Sequence, residues 1–413
     1  MMATTPIINA QLDMLNHHMQ HQNALLTVLT GDKLADLTTN LSEIAQLVHD
    51  GLAKDLISPG DKINLEWQDK ENGEAKNTYT APWHVAHFED AELADGETVP
   101  VMDMEWHYTT PFGVPFDEKE AVYESDTELA PGTYNITIAN NAWLASENGK
   151  TYQFTLTEAL PAKGQLRANA EYNKTWEGAT LSAYTSAYHR TKLFDVTLAE
   201  GSEGTNLGTT DGTGDVNHFH RLNLGYNRWA TSCLRQWLNS TAVRNTEGNG
   251  NGWYVKQAKW DVMPAIALQK DGFLCGYSDD VLDCMLTTKI YTPRNTVTDD
   301  GGIDVTNDKI FLKSLEQWYT APDGTANEGY WEYWKQVLGL NQPMKQYTAY
   351  PLAKVYAINA KTSAQHSVRR SCHRGSGSSV WTVSTSGHVG YSNAAASGYR
   401  CEPACRIGKN PAI

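Results

Sequence analysis

Six cysteines, thirteen histidines and several paired carboxylates are the residues of this chain whose types could carry chemistry. Metal centres and redox pairs need such residues at particular spacings. Cys233, Cys275, Cys284, Cys372, Cys401 and Cys405 contain no C-x-x-C pair and no Cys/His cluster of zinc-finger spacing, which predicts buried free thiols. His17, His18 and His21 form an HHxxH group, but adjacent residues cannot both face one site on a helix. His84 with His87, and His218 with His220, are close pairs with no identifiable third ligand. Asp279-Asp280, Asp299-Asp300 and Asp304 lie in polar stretches, and are expected to be solvated rather than to assemble a calcium site. No G-x-S-x-G elbow or G-x-G-x-x-G turn is present, and Asn148-Gly149-Lys150-Thr151 lacks the upstream glycine of a phosphate loop. No metal, cofactor or catalytic group is expected.

The elements that must position the remaining chemistry follow from composition and period. A chain of 413 residues predicts two or three domains. The net charge of -15 argues against nucleic acid as a partner. The 32 Gly, 20 Tyr and 13 Trp predict sheet and loop. No run of apolar residues is long enough to span a membrane as a helix. The first residues lack the basic and apolar regions of a secretory signal, so folding in a cytosol is expected.

Residues 1–57 read as a helical association region. Leu12, Leu15, Met19, Leu26 and Leu29 form one heptad-like stripe, and Leu34, Leu37, Leu41, Ile44 and Val48 another, interrupted at Gly31-Asp32. So narrow a stripe suits association with copies of itself; the alternative is a hairpin packed on its own domain. Residues 58–164 read as a small β domain, a sandwich or meander, with period-two runs at 62–67, 134–138 and 152–156. Residues 165–413 mix helix, strand and long polar loops such as 200–215 and 296–307. Arg228 to Asn239 predicts a helix with Trp229, Cys233 and Trp237 on one face, and 309–312 a short strand. The fold class predicted is α+β.

Residues 361–413 carry seven Lys or Arg against Glu402 alone, so the segment is +6 and the remainder -21. Such a segment is either an interaction surface or a set of arginines that tie loops internally. Within it, Ser371–Tyr399 has eight Ser and five Gly and no Lys, Glu, Gln or Met. That is the set expected if many positions derive from Asn codons whose adenines are replaced. Trp381 and Val383 alternate with Thr382 and Ser384, Ser386-Gly387 can turn, and 388–391 can return. Alternation predicts an apolar anchoring face and a face of small polar side chains, the chemistry of an adaptable binding surface.

The string from Val368 to Gly408 resembles the C-terminal variable region of target proteins of diversity-generating retroelements. The matching marks are Trp381-x-Val383, Gly387-x-Val389 and Gly398-Tyr399-Arg400-Cys401-x-Pro403-Ala404-Cys405. Asn227-Arg228-Trp229 to Arg235-x-Trp237-Leu238-Asn239 and 308–314 resemble a domain of phage and gut-bacterial proteins, and 82–124 the β module that precedes it in phage proteins. The resemblance implies a C-type-lectin-like domain of the formylglycine-generating type over 165–413, with a variable region at about 366–407. It implies ligand-binding positions at His373, Arg374, Ser376, Ser378, Ser379, Thr382, Ser384, His388, Gly390, Tyr391, Ser392, Asn393 and Tyr399. Trp381, Val383, Val389, Arg400, Cys401, Pro403 and Ala404 would be scaffold.

The formylglycine-generating enzyme uses two cysteines five positions apart. Cys372 fits the first, but Gly377 occupies the second, so one thiol cannot form that copper site. Asn341-Gln342-Pro343 only partly echoes the calcium loop of sugar-binding lectins. The resemblance therefore implies a non-enzymatic, cofactor-free phage tail-associated adhesin. It would be assembled in the bacterial host cytoplasm as a homo-oligomer, a trimer favoured, among other virion proteins. It would attach to a host-cell surface protein or glycan, without nucleic acid and without membrane insertion. The alternatives are a virion structural or decoration protein and a bacterial surface adhesin.

Overall fold

The computed structural model describes residues 41–118, 225–246, 252–257 and most of 261–409, with separate short segments between 121 and 209. The stripe from Leu12 to Leu29, Leu34 and Leu37, the histidines at 17, 18, 21, 218 and 220, and the Asn148-Gly149 turn lie outside the described residues.

Helix α1 (Leu41–His49) buries Leu41, Ile44, Ala45, Leu47 and Val48, and α2 (Ala53–Leu56) follows a left-handed turn at Gly51. Strands β1 (Lys62–Glu71) and β2 (Glu74–Glu92) form a hairpin across Asn72-Gly73. Both turn residues have positive φ, the conformation that Asn-Gly supplies at least cost in a tight hairpin. The Asp271 carboxylate accepts from both of their amides. Strand β3 (Thr98–Trp106) then pairs antiparallel with β2.

The later elements are helices α3 (Cys233–Leu238), α4 (Asp279–Cys284) and α5 (Glu332–Leu338), and strands β4 (Thr288–Pro293), β5 (Ile303–Asp308), β6 (Ile310–Leu312), β7 (Val355–Ala357), β8 (Ala360–Gln365), β9 (Ser367–Cys372), β10 (Ser379–Val383), β11 (Val389–Asn393) and β12 (Pro403–Ile407). One five-stranded sheet has the order β1-β2-β3-β12-β6, and a three-stranded sheet has the order β9-β10-β11. With both helices and sheets present, and with the strands of the five- and three-stranded sheets paired antiparallel, the fold is α+β, as the sequence predicts. Among the described residues no helix is long and apolar enough to cross a membrane.

The five-stranded sheet corrects the expected domain organisation. β3 pairs with β12 from Met102↔Ile407 to Glu105↔Ala404, so the boundary at residue 164 does not separate β1–β3 from the C-terminal part. The physical reason lies in β3, where Val101 to Trp106 are buried on both faces. One face is Met102, Met104 and Trp106, and the other carries Asp103 and Glu105, whose buried carboxylates are met by Arg406 and Lys313 from the C-terminal part. A strand covered on both faces belongs inside a larger sheet, not at the rim of a small independent module. α1 corrects the N-terminal boundary in the same way. Its Leu41, Ile44 and Val48, expected to serve association, sit in the same hydrophobic core as Met102, Met104 and Ile407. The period-two runs at 134–138 and 152–156 fall on strands 132–137 and 151–156, which pair antiparallel in a separate sheet.

Two local expectations also change. Residues 303–308, expected within a loop, are β5, paired with β4 from Thr288↔Asp308 to Pro293↔Ile303. The helix expected over 228–239 is broken: a 3-10 turn at Trp229–Thr231 gives way at Ser232, whose hydroxyl caps α3 by accepting from the Arg235 amide. Trp229, Cys233 and Trp237 are nevertheless all buried.

Candidate functional site

The 227–239 motif is the foundation of the site. Arg228 donates two parallel hydrogen bonds to Asp304, from Nε at 2.7 Å and Nη2 at 2.8 Å, a geometry that fixes direction as well as charge. Asp308 gathers Trp229 Nε1 at 2.9 Å, Arg235 Nε at 2.6 Å and the Thr306 hydroxyl at 2.7 Å. Asn239 Oδ1 accepts from the amides of Lys309 and Ile310. Of the aspartates expected to be solvated, two are structural: Asp304 binds Arg228 and Asp299 accepts from Tyr226 and Asn295. Asp279, Asp280 and Asp300 are exposed.

Asn227 reaches from this foundation into the variable stretch. Its Nδ2 donates to the carbonyl oxygens of His373 at 3.3 Å, Ser376 at 2.7 Å and Ser379 at 2.8 Å. Its Oδ1 accepts from Asn295 at 2.9 Å. One fully buried amide therefore holds the 373–379 loop by its backbone, with the Ser376 hydroxyl adding bonds to the Ser378 amide and the Ser379 hydroxyl. Sequence reasoning quoted Asn227 only as part of a motif; an Asn beside a buried Trp was the available signal.

β10, β11, the 373–379 loop before them and the turn between them carry the expected ligand-binding residues, Tyr399 excepted, and β9 pairs with β10. β10 pairs with β11 from Ser379↔Asn393 through Trp381↔Tyr391 to Val383↔Val389. The connecting turn is closed by Gly387 N donating to Ser384 O at 2.9 Å and by His388 N donating to the Ser384 hydroxyl at 3.1 Å. Gly387 has φ +79°, and a Cβ there would lie 2.1 Å from the Tyr350 oxygen. The position needs glycine for both conformation and space. Val380, Trp381, Val383 and Val389 are buried and anchor the hairpin.

Most of the expected ligand-binding residues are partly exposed: His373, Arg374, Ser376, Ser379, Ser384, His388, Gly390, Tyr391, Ser392, Asn393 and Tyr399. Two are not. Thr382 is 5% exposed and Ser378 is 2% exposed. The expected alternation fails because β10 is covered on both faces, so Thr382 shares the buried side with Val380.

A further correction concerns Tyr391. Residues directly opposite on paired strands point to the same side, and Tyr391 lies opposite Trp381. Their ring centroids are 5.9 Å apart, edge to face. Tyr391 therefore stands beside Trp381, not on the face opposite to it. His373 completes the group at 4.3 Å from Tyr391 and 5.6 Å from Trp381. Ser392 and Tyr399 form a different cluster, where the Tyr399 hydroxyl donates to Ser392 at 2.8 Å and the Tyr399 ring stacks on His366. The candidates thus divide into an aromatic group and a smaller polar one.

The expected scaffold residues are buried, with the exception of Arg400. Val383, Val389, Cys401, Pro403 and Ala404 are buried. Arg400 is partly exposed and donates to the Thr110 oxygen and to Asn359, each at 3.1 Å. β12 begins after Cys401, so Cys401 and Cys405 do not share a strand, and among the described residues no disulfide is formed. Much of the basic charge is internal. Arg369 pairs with Glu402, Arg370 with Glu328, and Arg406 with Asp103 and Glu89. Cys372 is buried, with its thiol donating to the Pro293 oxygen at 3.2 Å. Among the described residues no three His, Cys, Asp or Glu side chains converge as a metal site.

Fold and site together define an α+β protein whose C-terminal half displays a braced β hairpin. Residues 203–409 match the family described as a domain of unknown function, DUF6273, and the chain belongs to that family. β1, β2 and β3 lie before the matched stretch, yet they complete the sheet that contains β6 and β12. No curated protein and no solved structure matches the chain.

Proposed function

We propose that this chain is a non-enzymatic ligand-binding protein, a phage tail-associated adhesin whose C-type-lectin-like end presents a retroelement-diversified surface to the host cell. The observation that carries the reading is the separation of support from display at the hairpin. Backbone bonds from Asn227 and the buried Val380, Trp381, Val383 and Val389 hold its shape, while His373, His388, Tyr391 and Asn393 remain partly exposed. Side chains that do not hold the fold can vary without unfolding it. Binding would use hydrogen bonds and ring contacts. The buried Cys372 thiol, with Gly377 in place of a second cysteine, supports a role without covalent chemistry.

The test is a melting curve and a host-cell adhesion assay on three variants. Tyr391→Ala and His388→Ala are expected to lose no more than about 1 kcal/mol of stability and to alter adhesion. Trp381→Ala is expected to cost about 3–5 kcal/mol, the range for emptying a buried aromatic site. Unfolding by Tyr391→Ala, or unchanged adhesion in both surface variants, would remove the hairpin as the binding face.

A further inference from the structure

Tyr347 is a large ring, 61% exposed, on a backbone with φ +60°. A non-glycine residue in that conformation is strained, and strain of this kind persists only where the surroundings enforce it. Here they do. The Tyr347 amide donates to the Val389 oxygen at 2.8 Å, the Tyr350 amide to Gly387 at 3.0 Å, and the Met344 amide to the Tyr319 oxygen at 2.8 Å. Residues 344–350 thus run beside β11, anchored at one end by the fully buried Met344. The Tyr347 ring lies 6.1 Å from His388 and 6.2 Å from Tyr391. Its exposure shows that the strain does not serve to bury the ring.

The stretch of chain that carries this ring has charge of one sign. Residues 333–401 contain eight Lys or Arg and no Asp or Glu, in a chain of net charge -15. Arg369 and Arg370 are buried in pairs, but Lys345 is exposed and Lys354 partly exposed on the segment that carries Tyr347. The carboxylates of the adjoining loop, Asp299 and Asp300, are engaged by Tyr226, Asn295 and Arg294. An anionic partner is therefore favoured, and one sign of charge over a surface steers it in.

We propose that Tyr347, Lys345 and Lys354 form a constant arm of the binding face, outside the diversified stretch, and that the ligand held there is an acidic polysaccharide. The proposal rests on the reading of the β10–β11 hairpin as the binding face. A polysaccharide is favoured over a protein by the character of the face. Protein interfaces centre on a desolvated apolar patch. Here the rings carry polar tips and lie beside the Ser384–His388 turn with its hydroxyls of Ser384 and Ser386, with Leu352 the large exposed aliphatic nearby in sequence. Sugar rings offer C–H faces to aromatic rings and hydroxyls to polar groups, while their carboxylates meet the lysines. A repeating polymer also lets weak contacts add.

The full-length protein is titrated against alginate, polygalacturonate, neutral dextran and polyglutamate. Binding to at least one acidic polysaccharide, weakened by salt and absent for dextran, is expected. Tyr347→Ala and the double variant Lys345→Glu, Lys354→Glu should each weaken it by about tenfold or more, with melting unchanged. Tyr347→Asn, which tolerates the same backbone conformation, separates loss of the ring from loss of the turn and should weaken binding equally. Equal binding of polyglutamate overturns the choice of a sugar. Binding indifferent to both Tyr347 variants overturns the constant arm. Failure to bind either acidic polysaccharide overturns the proposal; if Tyr391→Ala still changes adhesion to cells, the hairpin reading survives that failure.

Discussion

Arg369 Nη1 lies 2.9 Å from Glu402 Oε2, and the two side chains are 1% and 2% exposed. The pair ties β9, the strand beside the variable hairpin, to the residue preceding β12 in the large sheet. The same carboxylate accepts from the Ser367 hydroxyl at 2.9 Å, and Lys313 Nζ stands 3.3 Å from its other oxygen. The Arg369 guanidinium also lies 4.3 Å from the centre of the Trp318 ring. Two cations thus depend on one carboxylate, in addition to the bond between Lys313 and Glu105.

Glu402→Ala is therefore expected to destabilise the protein by about 3–5 kcal/mol, because it leaves buried charge uncompensated. Burial alone would raise the Glu402 pKa, but Lys313 and Arg369 outweigh it and hold the carboxyl below its ordinary range. A carboxylate with a depressed folded pKa contributes stability above its unfolded value, and that stability is lost as pH falls through the folded one. Urea unfolding at neutral pH checks the magnitude. A loss below about 1 kcal/mol, the range of an exposed pair, would show that the ion pair is not what joins the two sheets.

His84 supplies a second pH dependence in a different window. It is 1% exposed, its Nε2 lies 3.3 Å from Glu105 Oε2, and its Nδ1 has no hydrogen-bond partner. Its ring stacks on Tyr333 with centroids 3.9 Å apart. Burial first, then Lys313, His107 and Lys62, push its pKa well below the usual histidine value. A neutral ring suits the unpartnered Nδ1, since a protonated one would need a second acceptor. The unfolded chain takes up this proton near pH 6.5 and the folded chain resists it. The contribution is complete above that pH and lost as pH falls below it toward the folded value. Melting temperature should decline between neutral pH and pH of about 5, and His84→Gln should flatten that part of the curve. An unchanged slope in the variant would assign the decline to another group.

Local pattern carried the sequence reading where one strand or turn decided the outcome. Trp381, Val383 and Val389 are buried, Gly387 is the left-handed turn residue, and Ile63, Leu65 and Trp67 alternate inward. Pattern failed where a strand has two covered faces. Thr382 reads as the polar side of an alternation, but lies under a second layer that a period of two cannot reveal. The pairing of β3 with β12 joins residues about three hundred positions apart, and no local signal reports it. Asn227 and Arg369 lie within recognisable motifs, but their roles come from partners distant in sequence, the 373–379 loop and Glu402.

The N-terminal stripes give the last prediction, because part of them proved to have a different use. Leu41, Ile44, Leu47 and Val48 are 6%, 0%, 5% and 3% exposed and belong to the core that includes Met104 and Ile407. Burying such side chains contributes about 1.5–3 kcal/mol each, a large part of the roughly 5–15 kcal/mol that holds a typical domain. The stripe from Leu12 to Leu29 lies before this helix and still has the spacing of an association seam. Two truncations separate these uses. Deleting residues 1–40 should leave α1 in place, so the shortened chain should melt close to the full-length protein while light scattering reports a smaller assembly. Deleting residues 1–55 removes α1 as well and should yield a chain that melts far lower or fails to fold. If the shorter deletion keeps the full-length oligomeric state, self-association resides elsewhere in the molecule. If the longer deletion melts normally, α1 is not part of the core that stabilises the large sheet.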